Sequence, residues 1–124
     1  MKALVVDNSN TMRSVLHRIL SMRGFEVAEA YDCRHAMELL RVSGAADLVL
    51  IDWAVYQMDG LEFVTRLRHE SVDNTRVVLL VTSEPGTREL QGALIAGVDD
   101  YLLKPFTSVQ IDEKLQRVGL SWRP

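Results

Sequence analysis

Residues 48–52 read LVLID, four apolar residues followed by an aspartate. Three other apolar runs also stop at a polar residue: Leu4–Val6 at Asp7, Val77–Val81 at Thr82, and Tyr101–Leu103 at Lys104. Because these runs do not alternate between apolar and polar residues, they indicate strands that are buried on both faces, as in a parallel sheet. Residues Phe25–Ala30 supply a fifth predicted strand.

Segments with helical spacing separate these strands. Their boundaries carry helix start and stop signals, namely Gly24, Asp32, Gly60, a Pro85–Gly86 turn, Gly97 and a capping box over Thr107–Gln110. A loop is expected between Asp52 and Gly60. Five strands that alternate with five helices predict an α/β fold with right-handed crossovers. We expect a doubly wound five-stranded parallel sheet of order 2-1-3-4-5, flavodoxin-like, as a single domain over residues 1–124.

Composition narrows the class of protein. The chain has 124 residues and a net charge of -3, and its 14 basic and 17 acidic residues are interspersed, which argues against nucleic-acid binding. The apolar run near the N-terminus covers only Ala3–Val6, which is too short for a signal peptide or a membrane span. Cys33 is the only cysteine, so no internal disulfide can form, and the reducing cytoplasm is the expected location.

The polar residues that end the strands predict the site. In doubly wound sheets, ligands bind beyond the carboxyl ends of the strands, and here that edge receives two carboxylates, a hydroxyl and an ammonium: Asp7, Asp52, Thr82 and Lys104. Two close carboxylates repel each other, and a hard divalent cation such as Mg²⁺ removes that cost. A carboxylate beside Mg²⁺ can attack phosphorus, while the ammonium and the hydroxyl stabilise the phosphoryl oxygens. The edge therefore predicts phosphoryl transfer onto an aspartate.

Five short motifs occur in order along the chain: VVDNSNTMR (residues 5–13), LIDW (50–53), MDGLE (58–62), VTSE (81–84) and YLLKPF (101–106). In this order and spacing they resemble the signature of response-regulator receiver domains, most of all those of chemotaxis. The resemblance covers essentially the whole chain. It implies a two-component signalling switch that catalyses only its own phosphorylation and dephosphorylation, and not a metabolic enzyme.

The resemblance also implies roles for single residues. Asp52 would be the phosphoacceptor, and Asp7 would hold Mg²⁺ together with Asp52 and the backbone carbonyl of Ala54. Lys104 would contact the phosphoryl group, and the peptide bond that follows it would be cis. The phosphoryl donor would be a histidine kinase or a histidine phosphotransfer protein.

The same resemblance predicts how the signal leaves the domain. Thr82 and Tyr101 correspond to the family's switch pair, in which the hydroxyl moves toward the phosphate and the ring turns inward behind it. Output would be a protein–protein contact through the surface of the fourth helix, which ends at Gly97, the fifth strand, Tyr101–Leu103, and the fifth helix, which follows the capping box. This surface would include Arg88, Gln91, Tyr101 and Lys104. Control of a flagellar motor is the leading pathway, and a phosphorelay intermediate is the alternative. The chain would be a monomer or a weak phosphorylation-dependent dimer.

Three residues depart from the family pattern. Asn8 stands where a second acidic residue is usual, Ala54 where an asparagine occurs in chemotaxis receivers, and Tyr56 where a proline is usual. Asn8 would lie at the metal site and weaken Mg²⁺ binding. Ala54 lacks an amide that could hold the hydrolytic water, so the aspartyl phosphate would last longer, and Glu84 would face the same opening.

Other functions remain open on the residues alone. The Ser- and Asn-rich loop after strand 1 could cradle the phosphate of a flavin, although only Trp53 and Tyr56 could supply aromatic walls. An aspartyl-phosphate phosphatase would need an acid two residues after its nucleophile, where Ala54 stands. A pseudo-receiver that binds partners without phosphorylation is a further alternative, and it is motivated by Asn8.

Overall fold

A computed structural model describes residues 1–44, 46–70, 77–83 and 88–120. The strands are β1 Lys2–Val6, β2 Glu26–Ala30, β3 Leu48–Asp52, β4 Val77–Thr82 and β5 Asp100–Leu103. The main helices are α1 Asn10–Ser21, α2 Cys33–Ser43, α3 Leu61–Glu70, α4 Arg88–Ala96 and α5 Ser108–Arg117. The predicted Pro85–Gly86 turn, Glu84 and Trp122 lie outside the described residues. Within the described ranges, no helix combines the length and the apolar character that crossing a membrane requires.

The sheet has the predicted order. All neighbouring strands pair in parallel in the order β2-β1-β3-β4-β5, with Val6 opposite Ile51 and Asp52 opposite Val81. The prediction of a doubly wound five-stranded parallel sheet is therefore confirmed. This order places β3, which ends at Asp52, in the centre of the sheet between β1 and β4.

The core lies on both faces of the sheet, as the uninterrupted apolar runs predict. Alternate residues of β1 point to opposite faces, so that Leu4 and Val6 pack with α2, α3 and α4, while Ala3 and Val5 pack with α1 and α5. β3 and β4 follow the same alternation, and every residue of both strands is buried. The strand ends are consequently held rigidly from two sides.

Side-chain caps start three of the helices. The Ser9 hydroxyl accepts a hydrogen bond from the Met12 amide at 3.2 Å, and the Asp32 carboxylate accepts one from the His35 amide at 2.7 Å. Thr107 and Gln110 form the predicted reciprocal capping box at the start of α5. Each cap satisfies a backbone N–H that the first helical turn leaves without a partner.

The segment after Asp52 differs from the predicted loop. Residues Trp53–Val55 form a helical turn and Tyr56–Gly60 a π-helical turn, and both run directly into α3. The Tyr56 amide donates to the carbonyl of Trp53, a bond that the proline usual at this position could not make. The buried Tyr56 ring packs over Gly60, where an added β-carbon would lie 2.5 Å from the ring. The loop prediction is therefore wrong, because it did not allow for a tyrosine that continues the helix.

The turn between α4 and β5 is fastened to α3. Gly97 has a φ of +127°, which L side chains rarely adopt, and its carbonyl accepts hydrogen bonds from Nε and Nη2 of Arg68 at 2.9 and 2.6 Å. Nη2 of Arg68 also lies 2.6 Å from Oδ2 of Asp99. A β-carbon at Gly97 would lie only 2.7 Å from Cγ of Arg68, so this position requires glycine.

Candidate functional site

Three polar side chains are buried among the described residues, and all three stand at the carboxyl edge of the sheet. They are Asp7 at 3%, Asp52 at 7% and Thr82 at 1% exposure. Asp52 and Thr82 are the last residues of β3 and β4, and Asp7 directly follows β1. Because β1, β3 and β4 are adjacent in the sheet, the fold brings these groups together as the sequence predicts.

Lys104 completes this group from the end of β5. Its backbone N–H donates to the carbonyl of Thr82 at 2.8 Å, which extends the pairing of β4 and β5 by one residue. Its ammonium Nζ lies 2.5 Å from Oδ1 of Asp52. The other oxygen of Asp52, Oδ2, accepts a hydrogen bond from the Ala54 amide at 3.0 Å. Asp52 is thus a buried carboxylate whose charge is balanced by one cation.

Asp7 has a different environment. Its Oδ1 accepts a hydrogen bond from the Ser9 amide at 2.8 Å, but its buried Oδ2 has no hydrogen-bond partner among the described residues. Burial raises the pKa of Asp7, the negative charge of Asp52 raises it further, and the Ser9 amide, Lys104 and Arg13 oppose the shift. A buried carboxylate oxygen without a partner is costly, and a cation is one of the few groups that can remove that cost.

These residues fit a Mg²⁺ ion. Across the described residues, no three His, Cys, Asp and Glu side chains lie close enough together to hold a metal ion. Mg²⁺ does not require such a cluster, because it is usually held by one or two carboxylates and keeps several waters. Asp7 and Asp52 supply those carboxylates, with the unpartnered Oδ2 of Asp7 among them. Asn8 and Ala54, which each lie next to or near one of these carboxylates in sequence, are exposed. The side chain of Asn8 and the carbonyl of Ala54 remain predicted ligands.

The remaining predicted switch and output residues lie on β5 and α4. Tyr101 on β5 is half-buried, and the ammonium of Lys114 lies 4.6 Å from the centre of its ring. Arg88 and Gln91 are exposed on α4, as an output surface requires. Lys104 differs from them, because its ammonium contacts Asp52 and so belongs to the site rather than to the outer surface.

Known proteins resemble this chain over nearly its full length. The model of the family described as response regulator receiver domain matches residues 3–116. The chain belongs to this family. Chemotaxis protein CheY1 of Helicobacter pylori is 39% identical over 119 residues, which cover 95% of this chain and 96% of that protein. The chemotaxis protein CheY homolog of Campylobacter jejuni is also 39% identical and is covered to 92%.

Solved structures agree with the sequence relatives. The structure of chemotaxis protein CheY4 of Vibrio cholerae superposes on this receiver domain with a TM-score of 0.84 at 31% identity, covering 94% of this chain and 97% of that chain. This receiver domain is therefore of the CheY-like type, and it is a two-component signalling switch rather than a metabolic enzyme. The family assignment favours this function over the flavin-binding alternative.

Sequence reasoning overlooked one side chain that contacts the site of this receiver domain. Nη1 of Arg13, in the first turns of α1, donates to the backbone carbonyl of Asp7 at 2.6 Å. Arg13 lies in the motif VVDNSNTMR, but the motif alone assigned it no role. Its position six residues after Asp7 could have indicated this contact, because it places a long cationic side chain one helical turn beyond the end of β1.

Proposed function

We propose that residues 1–124 form one receiver domain that accepts a phosphoryl group on Asp52. The observation that carries this proposal is the buried Asp52 carboxylate with Lys104 Nζ 2.5 Å from Oδ1 and a second buried carboxylate, Asp7, beside it. The donor is a phosphohistidine of a histidine kinase or of a histidine phosphotransfer protein. We assign Mg²⁺ to Asp7, Asp52 and the carbonyl of Ala54, with Asn8 at the edge of the metal site.

The chemistry follows from these residues. An oxygen of Asp52 attacks the phosphorus, the bond between phosphorus and the donor histidine breaks, and its electron pair stays on the histidine nitrogen. Lys104 exchanges its contact with the carboxylate for one with a phosphoryl oxygen, and the Thr82 hydroxyl donates to another. Mg²⁺ supplies the positive charge that allows two carboxylates and a phosphoryl group to occupy one site. Hydrolysis of the acyl phosphate by water later restores Asp52.

The switch couples this site to a surface. Thr82 moves toward the phosphoryl group, and the half-buried Tyr101 ring turns inward into the space behind it. This change alters the surface of α4, β5 and α5, which includes the exposed Arg88 and Gln91. An output protein reads the altered surface. Because the relatives at 39% identity are named as chemotaxis proteins, we propose control of a flagellar motor, with a phosphorelay as the alternative.

A phosphorylation assay tests the phosphosite. Incubation with acetyl phosphate and Mg²⁺ should add one phosphoryl group to the intact mass, and Asp52→Asn should abolish the addition. Asp47→Asn is the matched control, since Asp47 directly precedes the same strand at its opposite end and is exposed. It should gain the group as wild type does. An addition that persists in Asp52→Asn would place the phosphosite elsewhere. No addition to wild type would support a pseudo-receiver instead.

A capture experiment tests the output. Beryllofluoride mimics an acyl phosphate, so protein treated with beryllofluoride and Mg²⁺ should retain its output protein more strongly than untreated protein. Arg88→Ala and Gln91→Ala should weaken that retention without changing phosphorylation by acetyl phosphate. Equal retention with and without beryllofluoride would contradict a phosphorylation-dependent output.

A further inference from the structure

Arg13 connects three elements next to the site. Its guanidinium donates from Nη1 to the carbonyl of Asp7 at 2.6 Å and from Nη2 to the side chain of Asn10. Its Nε lies 3.3 Å from Oε1 of Glu29 on β2. The side chain is only 14% exposed, so these bonds are largely shielded from water. One planar group therefore ties together the end of β1, the start of α1 and the neighbouring strand.

The bond from Arg13 completes the restraint of Asp7. The backbone N–H of Asp7 donates to the carbonyl of Ala30 at 3.0 Å, and its Oδ1 accepts from the Ser9 amide. Its carbonyl accepts from Arg13. Within the described part of the chain, Oδ2 is then the one polar atom of Asp7 without a hydrogen-bond partner. The contacts fix the whole residue and leave that oxygen available.

Glu29 holds Arg13 in this position from the other side. Its Oε1 faces Arg13, while its Oε2 lies 2.7 Å from Nδ1 of His17, four residues further along α1. Glu29 immediately precedes Ala30, which accepts the bond from the Asp7 amide. The amide of Asp7 is thus bonded directly to β2, and its carbonyl is linked through Arg13 to the preceding residue of that strand.

We propose that Arg13 is a positioning residue for the Mg²⁺ site, which it supports by fixing the backbone of Asp7. This inference rests on the proposed function, because it concerns the metal that phosphorylation uses. Groups that orient a metal ligand without touching the metal commonly change its affinity by about 10-fold to 100-fold when they are removed. The guanidinium geometry is essential to the role, since lysine has a similar charge but lacks the fork that contacts Asp7, Asn10 and Glu29 together.

Arg13→Lys separates positioning from charge. In the metal-free Arg13→Lys variant, the Ser9 amide should exchange its hydrogen faster than in wild type. The reason is that the loss of the bond from Arg13 loosens Asp7, whose Oδ1 accepts the hydrogen bond from that amide. Mg²⁺ binding, followed by Trp53 fluorescence in a Trp122→Phe background, should be about tenfold weaker. Arg18→Lys is the matched control, because Arg18 is exposed on the same helix, and it should match wild type in both measurements. Glu29→Ala should shift both measurements in the same direction as Arg13→Lys.

Each outcome decides the inference. Wild-type Mg²⁺ affinity in Arg13→Lys would overturn it. Tighter Mg²⁺ binding in Arg13→Gln would overturn it as well, because removing a cation near the metal would then outweigh the loss of positioning. Weaker Mg²⁺ binding in Arg13→Lys with unchanged exchange at Ser9 would overturn it as well. A wild-type chain that binds no Mg²⁺ would instead overturn the proposed function, and the inference with it. Urea unfolding of each variant ensures that the comparison is between folded proteins.

Discussion

Asn8→Asp is the most informative single change at the site, because it restores the acidic residue that receiver domains usually carry there. In the metal-free protein, Asp7, Asp52 and Lys104 together carry one net negative charge, and the substitution adds a second. With Mg²⁺ bound, the same groups change from a net positive charge to neutrality. The variant should therefore bind Mg²⁺ more tightly, and its metal-free form should be less stable.

The size of the effect follows from the position of Asn8. Two unit charges about 5 Å apart interact by roughly 3 kcal/mol at an effective dielectric constant of about 20, which is a ceiling. Because Asn8 is exposed, solvent and salt should leave about 1 kcal/mol. That value corresponds to an increase in Mg²⁺ affinity of somewhat less than about tenfold. The increase should grow at low ionic strength, where screening is weaker.

Two titrations measure this prediction. Trp53 directly follows Asp52, so its fluorescence should report Mg²⁺ binding, and urea unfolding without metal reports the free energy of unfolding. Gln116→Glu is the charge control, since Gln116 is exposed in the last turn of α5, away from the carboxyl edge of the sheet, and should leave Mg²⁺ affinity unchanged. Equal or weaker Mg²⁺ binding in Asn8→Asp would refute the reasoning. Tightening of the same size in Gln116→Glu would show that the effect is not local.

Three further predictions concern other parts of the chain. Ala54→Asn should shorten the lifetime of the aspartyl phosphate, because an amide can hold the attacking water and a methyl group cannot. The rate of phosphate release after removal of the donor measures this lifetime. Equal or slower release from the variant would contradict the prediction. Gly97→Ala should lower the free energy of unfolding by about 3 kcal/mol, because it strains the backbone and displaces Arg68. Gly92→Ala, which has open space around it, should raise the free energy of unfolding by about 0.5 kcal/mol. Urea unfolding measures both variants, and equal effects would contradict the geometry. Burial, together with two nearby aspartates, raises the pKa of the Cys33 thiol to about 12. A thiol reagent at pH 8 should therefore label the native protein far more slowly than the unfolded protein. Rapid labelling of the native protein would show that the thiol is accessible.

The sheet was predictable from sequence because the information is local. An apolar run such as Leu48–Ile51 is too short for an isolated helix and too apolar for an exposed strand, so burial between two helical layers is the remaining solution. Strand order then brings the residues that follow these runs to one edge. The grouping of Asp7, Asp52, Thr82 and Lys104 was predictable for the same reason.

Other features depend on side-chain packing that no short motif encodes. In the helical segment after Asp52, the Tyr56 ring packs over Gly60, and no motif in the sequence predicts this contact. Arg13 contacts both Asp7 and Glu29 of β2, so residues from three elements surround its side chain. Spacing in the sequence restricts which side chains can meet, but it does not determine which of the possible contacts form.

The ion pair between Lys104 and Asp52 joins residues 52 positions apart in the chain. In the described part of the chain, β5, which positions Lys104, is the last strand in sequence and an edge strand that pairs only with β4. Removal of β5 would therefore remove the cation that lies beside Asp52, although the strands that position Asp7, Asp52 and Thr82 would remain in the chain. If Asp52 accepts a phosphoryl group, as proposed, a chain truncated before Asp100 should fail to be phosphorylated by acetyl phosphate.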